Sequence, residues 1–183
     1  MKKLICALLA LTLVLSMTAC SKQAETTVPE TTAPAANIEG TMEELLNKVI
    51  EQRPVEFAGG VISVGLTDAS EEGLWAIKSY TGLDDASQLT EAAAFEPMMG
   101  SLAFSMVMAR TAEGVDARTV AEAMKVGVDP RKWICVEADD VKTAGIGNVV
   151  MLIMVSTTGD MTAQSFVDAF QSEIGRASCR ERV

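Results

Sequence analysis

The sequence predicts an α+β fold: a two-layer sandwich in which a four-stranded antiparallel sheet is covered by helices. Three observations predict it. An apolar run, Ala103–Thr111, is followed by an amphipathic segment, Asp116–Met124, and the pair returns 46 residues later as Val149–Thr157 and Thr162–Phe170. Each run is preceded by a second β-prone stretch and a turn, giving two ββα units. One such unit is too small to close a core alone, so the two units should share one sheet.

The elements follow in order. Thr41-Met42-Glu43-Glu44 is a capping-box sequence, with Thr at the N-cap and Glu three residues on. Leu45, Leu46, Val49 and Ile50 continue it at helical spacing, and Pro54 bounds it. Phe57–Leu66, which holds Gly59-Gly60, reads as a loop or short edge strand. Asp68 or Ser70 caps a second helix, acidic in its first turn, with Leu74, Ile77 and Tyr80 on one face and Gly82 after its end. The first unit then has strands at Leu89–Met98 and Leu102–Thr111 and a helix capped by Asp116, with Val120, Ala121, Met124 and Val128 inward. The second has a strand at Trp133–Thr143, a turn at Gly145–Gly147, a strand at Asn148–Ser156, and a helix capped by Thr162 with Phe166, Val167 and Phe170 inward. Val149–Val155 is apolar at every position, which suits a strand buried on both faces and favours an N-terminal element behind the sheet.

The two ends read differently from this middle. Lys2, Lys3 and the apolar run Leu4–Met17 form a signal segment too short to span a bilayer, which takes about 20 apolar residues. Met17-Thr18-Ala19-Cys20 resembles the lipobox of bacterial lipoproteins, with Met17 in place of the usual Leu. The resemblance implies cleavage after residue 19, acylation of Cys20, as by palmitate, and anchoring in the extracytoplasmic face of the cell membrane; membrane lipid is then the expected partner. Residues 20–40, rich in Thr, Ala, Pro and Glu, are expected to be a disordered tether spanning at most about 66 Å. Residues 41–173 form the expected single domain. Residues 174–183, Ile-Gly-Arg-Ala-Ser-Cys-Arg-Glu-Arg-Val, resemble a translated sequencing adapter and are read as a non-native tail. On that reading Cys179, Arg176, Arg180 and Arg182 carry no function.

Composition narrows the chemistry. The formal net charge is −10, and it becomes −14 without residues 1–19 and 174–183. An acidic surface disfavours nucleic acid. There is no histidine, so triads, Cys–His pairs and His-ligated zinc are excluded. No nucleotide fingerprint accompanies the glycines, and no cofactor or metal is expected.

The block Tyr80–Leu83, Glu96–Met99 and Arg131–Asp140 resembles a family of uncharacterised small lipoproteins of Gram-positive, largely clostridial bacteria, over about residues 66–171. That resemblance implies a domain of unknown function and brings no catalytic residue with it.

The candidate ligand-binding residues are Arg131, Lys132, Trp133, Glu137, Asp139 and Asp140. Arg131 and Lys132 beside Trp133 suit an anionic or sugar ligand through charge and stacking; a helix-to-strand connection plugged by an aromatic explains them equally. As a strand, Trp133–Asp140 would put Trp133, Cys135 and Glu137 on one face. Glu137, Asp139 and Asp140, with Asp84, Asp85 or Asp160, have the chemistry of a hard-cation site, but no calcium-loop motif is present and solvated acids are the simpler reading. Cys135 lacks a histidine to activate it and reads as a small apolar residue of a sheet. Met98, Met99, Met106, Met108, Met151 and Met154 suit either a flexible groove or, more simply, the core. The expected function is therefore a membrane-anchored, non-enzymatic module binding a ligand or partner. Alternatives are a carboxylate-based hydrolase acting on glycan and a structural subunit pairing through a sheet edge.

Overall fold

The computed structural model describes residues 37–157 and 161–180. The signal segment, Cys20, most of the tether and Asp160 lie outside the described residues. The elements are α1 (Met42–Gln52), β1 (Gly59–Ser63), α2 (Glu71–Thr81), β2 (Leu89–Pro97), β3 (Phe104–Thr111), α3 (Ala117–Gly127), β4 (Asp140–Ile146), β5 (Val149–Val155) and α4 (Ala163–Arg180). The strands form one antiparallel sheet in the order β1-β2-β3-β5-β4. The sheet thus has five strands, against the four expected, because Gly59–Ser63 pairs with β2 and becomes an edge.

Helix starts are set by local chemistry. At α1 the Thr41 hydroxyl accepts from the Glu44 N–H and the Glu44 carboxylate accepts from the Thr41 N–H, completing the capping box. Ser70 caps α2 through the Gly73 N–H, and Asp116 caps α3 through the Thr119 N–H. α2 stops at Gly82, which takes φ +77°, a conformation that costs other residues steric strain. A Cβ on Gly82 would lie 2.5 Å from the Met124 carbonyl, so the ends of α2 and α3 pack backbone to backbone.

The sheet is covered on both faces, which corrects the two-layer expectation. On one face Met42, Leu45, Leu46 and Val49 of α1 and Phe166, Val167 and Phe170 of α4 pack on Phe95, Phe104, Met106 and Met151. On the other, Val120, Ala121 and Met124 of α3 pack on Ala94, Val107, Val150 and Leu152, with Tyr80 of α2 alongside. The helices that follow the two hairpins therefore lie on opposite faces. The reason is visible in β5, where all seven residues are buried: alternate residues point to opposite faces, and each apolar face needs its own cover. Leu74, expected inward, is on the exposed side of α2. α4 continues past Glu173 to Arg180, and Ile174 is buried in the core.

Two connections also differ from expectation. Asn37–Gly40, assigned to the tether, are bound to the sheet. The Arg110 guanidinium on β3 donates to the carbonyls of Ile38 (2.6 Å) and Gly40 and faces Glu91, which also accepts from the Met42 N–H at 2.8 Å. The Ile38 N–H donates to the Asn148 side chain at 2.9 Å. The expected strand at Trp133–Thr143 begins only at Asp140. Asp129-Pro130 turns the chain, with the Asp129 carboxylate accepting from the Arg131 N–H at 2.9 Å, and the Ala138 N–H closes the loop onto the Pro130 carbonyl at 2.9 Å.

Candidate functional site

β2 and β3 carry Glu96 and Ser105 at their hairpin end, both directed to the α2/α3 face because their neighbours Phe95, Phe104 and Met106 point to the other. The loop after α3 brings Lys132 over them. Its ammonium lies 2.5 Å from Glu96 Oε1 and 3.1 Å from Ser105 Oγ, and the Ser105 hydroxyl donates to Glu96 Oε1 at 2.8 Å. The ammonium also lies 4.8 Å from the centre of the Tyr80 ring and 5.2 Å from that of Trp133, within cation–π range. The Lys132 side chain is 11% exposed and that of Glu96 18%.

The electrostatics follow from this burial. Desolvation pushes the Lys132 ammonium below the ordinary lysine value, and the adjacent Glu96 carboxylate opposes that push. Burial, and secondarily the Glu96 charge, raise the Tyr80 phenol. A serine and a lysine in contact suggest acyl transfer, but that chemistry needs a neutral lysine and a reachable hydroxyl. Here Lys132 is ion-paired, and Ser105 is fully buried at 0% and donates its proton to Glu96. The cluster is built to hold a loop and two aromatic rings in place.

The residues singled out from sequence are distributed unequally around it. Lys132 and Trp133 belong to the cluster. Arg131 and Glu137 are exposed on the same loop. Asp139 accepts from the N–H and hydroxyl of Thr157 at 2.7 and 2.8 Å, which hold its carboxyl below the usual aspartate value, the N–H contributing most. Asp140 accepts from the Ala163 N–H at 2.9 Å, at the first turn of α4. Both are thus engaged in joining chain segments. No group of three acid or cysteine side chains suited to a metal occurs among the described residues. Cys135 is exposed in the loop, not packed in a sheet. Met106, Met108, Met151 and Met154 are core residues.

Met98 and Met99 are different. They form the β2–β3 turn and are 79% and 71% exposed. Ile134, next to Trp133, is fully exposed at 100%, and Trp75, one turn before Ser79 on α2, is 69% exposed. Lys132 also reaches the Ser79 carbonyl at 3.5 Å. Four large apolar side chains thus project from the three elements that Lys132 joins. A separate shallow cleft of about 620 Å³ lies between the ends of α2 and α3. It is lined by Asp84, Asp85, Glu122 and Lys78, and Lys78 pairs with Asp84 at 2.8 Å.

Sequence reasoning missed Glu96 and Ser105. The signal was available: each is a polar residue interrupting an apolar run, Ala-Ala-Ala-Phe-Glu and Ala-Phe-Ser-Met-Val, and both sit near the same turn. No protein-family model, curated protein or solved structure matches the chain significantly.

Proposed function

We propose that this chain is an extracytoplasmic lipoprotein, anchored through acylated Cys20, whose folded domain binds a protein partner without catalysis. One observation carries the binding reading: Trp75, Met98, Met99 and Ile134 are each exposed on the helix, hairpin turn and loop that the buried Lys132–Glu96 pair ties to one another. Methionine and tryptophan are the residue types that interfaces favour. The lipobox-like Met17–Cys20 and the family resemblance support the anchoring. The glycan-hydrolase alternative has no comparable support. Asp68, Asp85, Asp116 and Asp139 are each held low by the N–H or hydroxyl of a neighbouring Ser or Thr, which accounts for them as turn, cap and loop residues. We also read β2-β3-α3 and β4-β5-α4 as a duplicated ββα unit, on the 46-residue echo and the shared element order.

The test has two arms. A photoreactive side chain at position 99, in cells expressing the full chain, should give a discrete cross-linked species that Trp75→Ser diminishes. The same group at position 48, exposed on α1, should give none. Fatty-acid labelling should be lost in Cys20→Ser. Equal cross-linking at both positions would sink the binding reading, and labelling that survives Cys20→Ser would sink the anchor.

A further inference from the structure

Among the described residues, β1 is an unpaired sheet edge. Its ladder with β2 fixes which way its backbone points. The Met98 N–H donates to the Ala58 carbonyl and the Val64 N–H to the Ala92 carbonyl, both at 2.9 Å. Antiparallel ladders alternate bonded and non-bonded pairs, so 58, 60, 62 and 64 face β2, while Gly59, Val61 and Ser63 turn their N–H and C=O groups to the free side. Among the described residues nothing pairs with those three.

Edges are normally blunted by charge, proline, a bulge or a covering element. The opposite edge, β4, carries Asp140 and Lys142 and lies against both α3 and α4, whereas β1 lies against α1 on one face. Gly59-Gly60-Val61-Ile62-Ser63 has no charge and no proline. Ile62 is 43% exposed, and a side chain placed on Gly60 would meet open space. The edge is continuous with the apolar end of the domain, since Gly59 pairs with Pro97 and Met98 follows it.

We propose that β1 receives an extended, cationic segment of a partner protein as a sixth strand. The claim rests on the partner-binding reading above and specifies the partner's chemistry. Charge selects the occupant. Residues 53–78 contain Glu56, Asp68, Glu71 and Glu72 against Arg53 and Lys78, and are acidic on balance. A second copy would bring the same acids to the interface, whereas a basic segment would meet opposite charge. Main-chain bonds to Gly59, Val61 and Ser63 would supply affinity, and alternate side chains beside Ile62 would supply selectivity.

The test uses the full chain in neutral detergent and a capped peptide of six alternating lysine and valine residues. Amide exchange of Val61 and Ser63 should slow about tenfold on binding, binding should weaken with salt, and a glutamate–valine peptide should fail to bind. Ser63→Pro removes an outward N–H from an exposed position and no ladder bond. It should abolish binding while leaving the melting temperature near that of the parent chain. Ile62→Lys should weaken binding at least severalfold. Peptide binding without slowed exchange at Val61 and Ser63, or binding unaffected by Ser63→Pro, would overturn strand addition. So would exchange at those amides that slows with protein concentration alone, which assigns the edge to a second copy. The cross-link at position 99 reports separately: retained without β1 protection, it leaves partner binding standing and removes only the strand.

Discussion

Replacing Lys132 by methionine keeps the stem of the side chain and removes its charge. Glu96, 18% exposed in the parent chain, would then keep only the Ser105 hydroxyl as donor. Removing one member of a buried pair costs about 3–5 kcal/mol. Residual exposure and the remaining serine bond put Lys132→Met at the low end, about 3 kcal/mol. Glu96→Leu leaves the ammonium with two aromatic faces and Ser105, and should cost about 2 kcal/mol. The double variant buries no charge and should cost no more than the milder single, a coupling of about 3 kcal/mol. Urea unfolding at neutral pH measures all four corners of the cycle. In thermal melts Lys132→Met should lower the midpoint by about 10 °C, at roughly 3 °C per kcal/mol for a domain of this size. Additive costs, or a Lys132→Met penalty under about 1 kcal/mol, would refute the claim that the pair is a buried, coupled unit.

Tyr80 is the only tyrosine, so its phenol can be titrated by ultraviolet absorbance alone. Its midpoint should lie above the ordinary tyrosine value and fall back only in part in Glu96→Gln, because burial contributes more than the carboxylate. Acid should destabilise the domain in a defined window. Asp68, Asp116 and Asp139 are held low mainly by the N–H groups of Ser70, Thr119 and Thr157, and Asp85 by the Ser87 hydroxyl, then its N–H. Their folded values lie below the unfolded one of 3.8, so their contribution is complete above it and lost as pH falls through the folded values. The urea midpoint should thus hold from about pH 7 to about pH 5 and drop below about pH 4; a midpoint that rises in acid would contradict the assignment. Gly82→Ala forces a side chain into φ +77° and to within 2.5 Å of α3 backbone atoms. It should cost more than about 2 kcal/mol, and a melting temperature equal to the parent's would show that α2 and α3 do not pack as closely as described.

Much of the fold was legible because its signals are local. Thr41 with Glu44, Asp116 with the helix it caps, and Gly82 after α2 each act within four residues. The unbroken apolar run of β5 announced burial on both faces. What local pattern does not carry is the side of the sheet to which a helix returns, because a short connection can lead to either. The strand expected at Trp133 failed for a related reason. Its alternation is real, but Asp129-Pro130 turns the chain and Lys132 is drawn to Glu96, 36 residues away. A long-range ion pair outweighed a β-prone sequence. Half of the site was therefore readable: Lys132 and Trp133 declared themselves by type, while Glu96 and Ser105 matter only through what the hairpin brings beneath that lysine.

The seating of Ile38 and Gly40 on Arg110 has a mechanical consequence. β3 is the middle strand of five. Tension applied to the chain ahead of Asn37 would reach the domain through a guanidinium on that strand and through α1 beside it. Load delivered at the centre of a sheet must shear several ladders at once, whereas load at an edge peels bonds singly. Force entering there would load side-chain hydrogen bonds to the central strand before it pulled on α1.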